Sequence, residues 1–166
     1  MTEKRNAKGE TLQEFLEGYD DSLYRHPSNT VDMIVMTVED GQLKILLIRR
    51  KDHPWLGDWA LPGGFVNFDE DLEQAALREL QEETGYTAGN VRHLVSYYPT
   101  CGYSSEFLHI YICKELTAGE THWDATECMD IVEYDADELI DMVMRNEIKD
   151  SKTMIALLYA RQAGEI

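Results

Sequence analysis

Residues 61–86 read LPGGFVNFDEDLEQAALRELQEETGY, and this segment constrains the chain more than any other. A glycine pair and a turn lead into a run with helical spacing over about 70–84, closed by Gly85 as a C′ residue. On a wheel of about 100° per residue, Leu72, Ala76 and Leu80 form one row, and Ala75, Glu79 and Glu83 form the next. Glu82 lies beside Glu79. The acids therefore border the apolar stripe, where a merely solvated acidic face would lie opposite it. They also crowd the helix's last turn, the negative pole of its dipole, at a cost of roughly 0.3–1 kcal/mol each when exposed. A local cost retained in this way marks a functional site.

Three neighbouring carboxylates repel one another and raise each other's pKa, and a divalent cation removes that penalty. Oxygen-only ligands suit Mg²⁺ or Mn²⁺, with Mg²⁺ bridging to substrate phosphates. Glu79, Glu82 and Glu83 are the expected side-chain ligands, and the 62–64 turn allows the close backbone approach that would add the Gly63 carbonyl. Arg78 can pair with Glu82 at i+4 and reach back to the loop before the helix.

The surrounding pattern is mixed. Leu12, Phe15, Leu16 and Tyr19 have helical spacing behind a polar start that reads as a mobile tail over residues 1–10. Residues 32–38 and 43–49 form an apolar hairpin around the turn EDGQ, and WALP is a short strand. Strands are expected over 91–100, 106–113 and 128–134, with residues 114–127 as a long loop. In the second of these, Leu108, Ile110 and Ile112 face one way, and Phe107, His109 and Tyr111 the other. Helices are expected over 135–146 and 150–162, each opened by a capping residue. Strands and helices without regular alternation favour an α+β sandwich over a doubly wound fold.

A net charge of −17 opposes nucleic-acid binding and unaided docking on anionic membranes. The three scattered cysteines read as reduced thiols, small apolar fillers in a cytoplasmic protein, and the polar N-terminus carries no secretory signal. The five histidines lie apart without metal-ligand spacing. Arg49 and Arg50 end a strand where they could hold phosphates. Trp55, Trp59, Phe68, Tyr98 and Tyr103 are available to stack on a base.

Gly64, then five residues, Glu70, then seven residues, and RELQEETGY at 78–86 together resemble the Nudix box, with Tyr86 where an aliphatic residue is usual. The resemblance implies a Nudix fold, an α/β/α sandwich with a loop-helix-loop box. It implies metal-dependent hydrolysis of a nucleoside diphosphate linked to another group. In that frame Glu79, Glu82 and Glu83 hold the metal, while Glu70 and Arg78 stiffen the box. Residues 98–113, 125–134 and 147–162 resemble segments of ADP-ribose pyrophosphatases, with Cys101 interrupting the proline segment. That resemblance implies cleavage of ADP-ribose to AMP and ribose 5-phosphate. It points to Glu127 or Glu83 as the base and to Glu106 as a metal or ribose contact. It also implies a homodimer, with residues 1–30 as a tail and short helix and 31–166 as the Nudix domain. The alternatives within the family are a nucleoside triphosphate, NADH or a nucleotide sugar. The alternative of another class is a sensor that binds ADP-ribose without cutting it.

Overall fold

The computed structural model describes residues 5–18, 29–102, 104–121 and 129–166. Strand β1 (Asn29–Glu39) turns into β2 (Gln42–Arg50), and a loop leads to the short β3 (Trp59–Ala60) and β4 (Gly63–Phe65). Helix α2 (Leu72–Thr84) follows, then the long hairpin of β5 (Tyr86–Tyr97) and β6 (Phe107–Ala118). Strand β7 (Met129–Asp135), α3 (Ala136–Met144) and α4 (Ser151–Gln162) complete the fold, with the short α1 (Leu12–Glu17) near the N-terminus. One mixed sheet runs β3-β2-β1-β6-β5, with β4 added to β1 and β7 added to β2. Strand β1 is antiparallel to β2 and parallel to β6.

Both faces of the sheet are covered, which is why β1 and β2 read as nearly continuous apolar runs. Val31, Met33 and Val35 pack under α2 with Ala75, Ala76, Leu80, Tyr111 and Cys113. Ile34, Ile45, Leu47, Leu108, Ile110 and Ile112 pack on the other face against Leu139, Met142, Ala156 and Leu157 of α3 and α4. The expected alternation along β6 is therefore present, and the layers form the α/β/α sandwich. Each fully buried branched or long apolar side chain contributes roughly 1.5–3 kcal/mol.

Several boundaries differ from the sequence reading. Asp71 is the N-cap of α2, because its side chain accepts from Gln74 N–H while Gln74 reaches back to the Asp71 amide. Glu70 is thereby left in the preceding turn. Gly85 adopts φ 75°, as a C′ glycine should. Strand β5 starts at Tyr86, and β6 continues to Ala118 through residues expected to be loop. Their antiparallel pairing from Tyr86↔Ala118 to Tyr97↔Leu108 supplies the backbone hydrogen bonds, so polar side chains at the outer end do not end the strands. Asp135 precedes α3 but makes no capping bond, since its carboxylate pairs with Lys44 at 2.9 Å. Residues 5–10 are docked rather than a loose tail: Ala7 N–H donates to Lys51 C=O at 3.2 Å. Tyr19 and Cys128 lie outside the described residues. No helix among the described residues is long and apolar enough to cross a membrane.

Candidate active site

Strand β4 brings the glycine pair against the C-terminal half of α2. Gly63 N–H donates to Glu83 Oε2 at 2.8 Å, and both Glu83 and Glu79 are buried, 4% and 7% exposed. A Cβ on Gly64 would lie only 2.5 Å from Glu79 Oε1, so the second glycine is the hollow into which that carboxylate fits. Glu82 is set further out on the same turn, with its side chain 40% exposed. The seam position read from the helical wheel thus becomes two acids sunk between helix and glycine turn and one at the rim.

Arg78 organises this end of the box. Its guanidinium donates to Glu70 (Nη2–Oε1 2.6 Å, Nε–Oε2 3.0 Å), to Phe65 C=O at 2.9 Å, and through Nη1 to Glu79 at 2.8 Å and Glu82 at 2.9 Å. Such a fork ties the loop before the helix to the helix's acidic turn. The hydrogen bond to Glu70, outweighing burial, holds Arg78 above its ordinary range, and Glu79 and Glu82 add to it. The same bond from Arg78, with the Asn67 amide, holds Glu70 below the usual carboxylate range. The stiffening pair expected from the resemblance is therefore in contact, and it extends to two of the three expected metal ligands.

Among the described residues no three His, Cys, Asp or Glu side chains converge in a metal-holding arrangement. Glu79 and Glu82 are both turned onto Arg78, and Glu83 onto the Gly63 amide. The donor set is nonetheless suited to a hard divalent cation: all oxygens, two of them nearly buried, on a rigid helix beside a backbone a side chain cannot approach. Gly63 is in β4, opposite Asp32 of β1.

A cavity of about 410 Å³ opens among the ends of β2, β5 and α4 and is lined by Arg50, Trp55, Trp59, Glu106, Asp150 and Lys152, among others. Glu106 accepts from Thr30 Oγ1 at 2.9 Å. Of the three expected substrate contacts, Arg50 and Glu106 thus share one cavity. Arg49 does not: its guanidinium lies over the Trp59 ring at 5.3 Å, and its Nε donates to Gly57 C=O at 3.3 Å. Among the described residues, Trp55 and Trp59 are the aromatics that line the cavity. Tyr98 packs on Phe107, and Phe68 is largely exposed. Glu127 and Tyr103 lie outside the described residues.

Two features escaped the sequence reading. Asp32, fully buried in mid-strand, pairs with Lys152 at 2.7 Å, and neither oxygen of Asp32 finds a further hydrogen-bond donor among the described residues. Burial pushes the Asp32 carboxyl above its usual range against the pull of Lys152. A charge inside DMIVMTV was the available signal. The histidines also do not all stand apart: Ser96 Oγ lies 2.7 Å from both His93 Nε2 and His109 Nδ1. Adjacent strands make that contact, and linear spacing does not show it. Cys101 and Cys113 are free thiols, the buried Cys113 pushed up to about 12 by burial.

Comparison with known proteins places this geometry in a family. The NUDIX domain model matches residues 27–158. The methanol dehydrogenase activator of Bacillus methanolicus is 34% identical over 140 residues, covering 82% of this chain and 74% of the relative. The ADP-ribose pyrophosphatase of Bacillus subtilis (strain 168) is 29% identical over 140 residues, with the same two coverages of 82% and 74%. The NUDIX domain of Shewanella oneidensis NrtR, solved with ADP ribose, superposes with a TM-score of 0.66 at 28% identity, covering 93% of this chain and 99% of that one. Nudix hydrolases generally use divalent metal ions, in keeping with the oxygen donors at the glycine turn. The chain belongs to the Nudix family and is a Nudix hydrolase resembling the ADP-ribose pyrophosphatases.

Proposed function

We propose that this hydrolase cleaves a nucleoside diphosphate linked to a second group, with ADP-ribose, split to AMP and ribose 5-phosphate, as its substrate. The observation that carries the reading is the burial of Glu79 and Glu83 against the Gly63–Gly64 turn, on the strand paired with β1. The cavity holding Arg50, Glu106 and two tryptophans supplies charge and stacking area for the nucleotide.

In this reading Glu79, Glu82 and Glu83, with the Gly63 carbonyl, would hold Mg²⁺ or Mn²⁺, and a cation held there would supply charge neutralisation at the diphosphate and lower the pKa of a water. Arg50 steadies a phosphate, and the two indoles hold the base. Glu127 or Glu83 takes the proton of the attacking water as its oxygen bonds to phosphorus and the bridging oxygen departs with the other half. Arg78 and Glu70 touch no substrate; they keep the acidic turn and the loop in register. Arg49 belongs to the fold of the neighbouring loop. The proposal includes a homodimeric, cytoplasmic enzyme with no nucleic-acid or membrane partner, in keeping with the charge of −17 and the free thiols.

The test is hydrolysis of ADP-ribose with Mg²⁺ beside nucleoside triphosphates, NADH and nucleotide sugars. AMP released from ADP-ribose far faster than product from the rest supports the substrate. Faster cleavage of another compound replaces it. Binding of ADP-ribose with no turnover of any compound would overturn the catalytic reading. Mg²⁺ should raise the melting temperature of the wild type, and Glu79→Gln and Glu83→Gln should lose that rise.

A further inference from the structure

We propose that the N-terminal segment positions the cavity's tryptophan loop, with Asn6 as the positioning residue; this rests on the reading of the cavity as the nucleotide site. The loop between β2 and β3 carries Trp55 and Asp58 to the cavity wall. Its neck is closed by Gly57 N–H to Arg50 C=O at 2.7 Å and Arg50 N–H to Asp58 C=O at 3.1 Å. Those bonds fix its base. Its outer limb, residues 51–53, is held instead by residues 6–10.

Asn6 is the centre of that hold. It is only 6% exposed. Its Oδ1 accepts from Lys8 N–H at 3.0 Å and Glu10 N–H at 2.8 Å, so the segment is folded around it. Its Nδ2 donates to Glu10 Oε2 at 2.9 Å and across to Asp52 Oδ1. Asp52 Oδ1 also accepts the His53 amide at 2.7 Å. His53 Nε2 meets Glu10 C=O at 2.9 Å, and Ala7 N–H meets Lys51 C=O. The Phe15 ring adds a contact at 6.2 Å from the His53 ring. A buried amide with this many partners, on a segment otherwise polar and exposed, is a joint between two chain segments. Trp55 lies three residues beyond that joint and is 62% exposed, its carbonyl accepting from Asp58 N–H at 3.1 Å. Releasing the joint therefore returns to the loop the freedom that substrate binding must remove again, which appears in KM rather than in the chemical step.

The experiment is Asn6→Ala, with Asp52→Ala as the second variant should the first fold poorly. KM for ADP-ribose should rise about three- to tenfold with kcat within about twofold, the size of ordering one or two side chains. The two substitutions combined should be no worse than either alone. In a Trp59→Phe, Trp123→Phe background, acrylamide should quench Trp55 more strongly once Asn6 is replaced. Trp55→Ala separates the two readings. If it raises KM while the Asn6 and Asp52 variants leave KM and quenching unchanged, the positioning role is overturned. If Trp55→Ala leaves KM unchanged, the cavity reading fails and the positioning role falls with it, even if quenching shows that the segment still restrains the loop.

Discussion

Gly64→Ala isolates the fit between the glycine turn and Glu79. The added Cβ would stand 2.5 Å from Oε1 and 2.7 Å from Oε2 of that carboxylate. Ordinary contact begins near 3.4 Å, so the carboxylate must withdraw by about 0.9 Å. The obstacle is the far end of a side chain, and Gly64 does not have a positive φ. The backbone therefore accepts alanine, and the stability change should stay below about 1 kcal/mol. Catalysis should suffer far more, because a displacement near 1 Å at a reacting site costs on the order of a hundredfold, or about 2.7 kcal/mol of transition-state stabilisation. The assay is kcat/KM for ADP-ribose with Mg²⁺, alongside urea unfolding. Gly102→Ala is the control, since its Cβ meets nothing within 4 Å among the described residues. Wild-type kcat/KM in a folded Gly64→Ala enzyme would refute the argument that this close approach places a working carboxylate.

Arg78→Lys replaces a five-donor fork with a point charge. It should cost roughly 1–3 kcal/mol in urea unfolding and lower kcat/KM by about ten- to a hundredfold; unchanged values in both would show that the fork to Glu70, Glu79 and Glu82 holds nothing. Lys152→Met strands the Asp32 carboxylate, fully buried, and should destabilise by about 3–5 kcal/mol. Asp32→Asn with Lys152→Met should recover most of that loss, and a double variant as weak as the single would exclude the pairing as the cause. Burial, with the charge of His93, holds His109 below its ordinary value of 6.5. The unfolded chain then takes up this proton first as pH falls, so stability present above about pH 6.5 is lost on acidification towards the lower folded value. The melting temperature should drop between about pH 7.5 and 5.5, and His109→Asn should remove part of that drop; an equal drop in the variant would assign it elsewhere.

The helix of the box was legible because periodicity and glycine stop agreed, though its start was set one turn residue too early, and the burial of Glu79 and Glu83 is in keeping with their row beside the apolar stripe. The hairpin of β1 and β2 was legible for the same kind of reason, apolar runs around a turn signal. The extent of β5 and β6 was not. Their outer ends are polar, and what makes them strands is a partner more than twenty residues away in sequence, which no local pattern reports. Strand β4 was hidden because glycines have no strand signature. Asp32 was hidden behind its apolar neighbours, because a buried charge is explained only by Lys152 far along the chain. The Asn6 joint was read as tail for a related reason: a polar segment looks solvated until the carboxylate and backbone groups that satisfy it are in place.

Strand β1 connects the two halves of the proposed site, and the β1–β4 register explains the demand for two glycines. Val31 faces Gly64 and Asp32 faces Gly63 across the pair. A Cβ on Gly63 would fall 2.2 Å from Val31 O and 2.7 Å from Asp32 Cα, both backbone atoms that cannot turn aside. Gly63 therefore sets how closely β4 lies on β1, and Gly64 sets how closely α2's acid lies on β4. Across the sheet, the same Asp32 anchors Lys152 on the cavity floor. A side chain at Gly63 would push apart the strand that presents an amide to Glu83 and the strand that fixes Lys152. The carboxylate seam and the cavity are held in register by one short strand pair, so Gly63→Ala should damage both together. Gly64→Ala, which meets only the end of Glu79, should leave the cavity side intact.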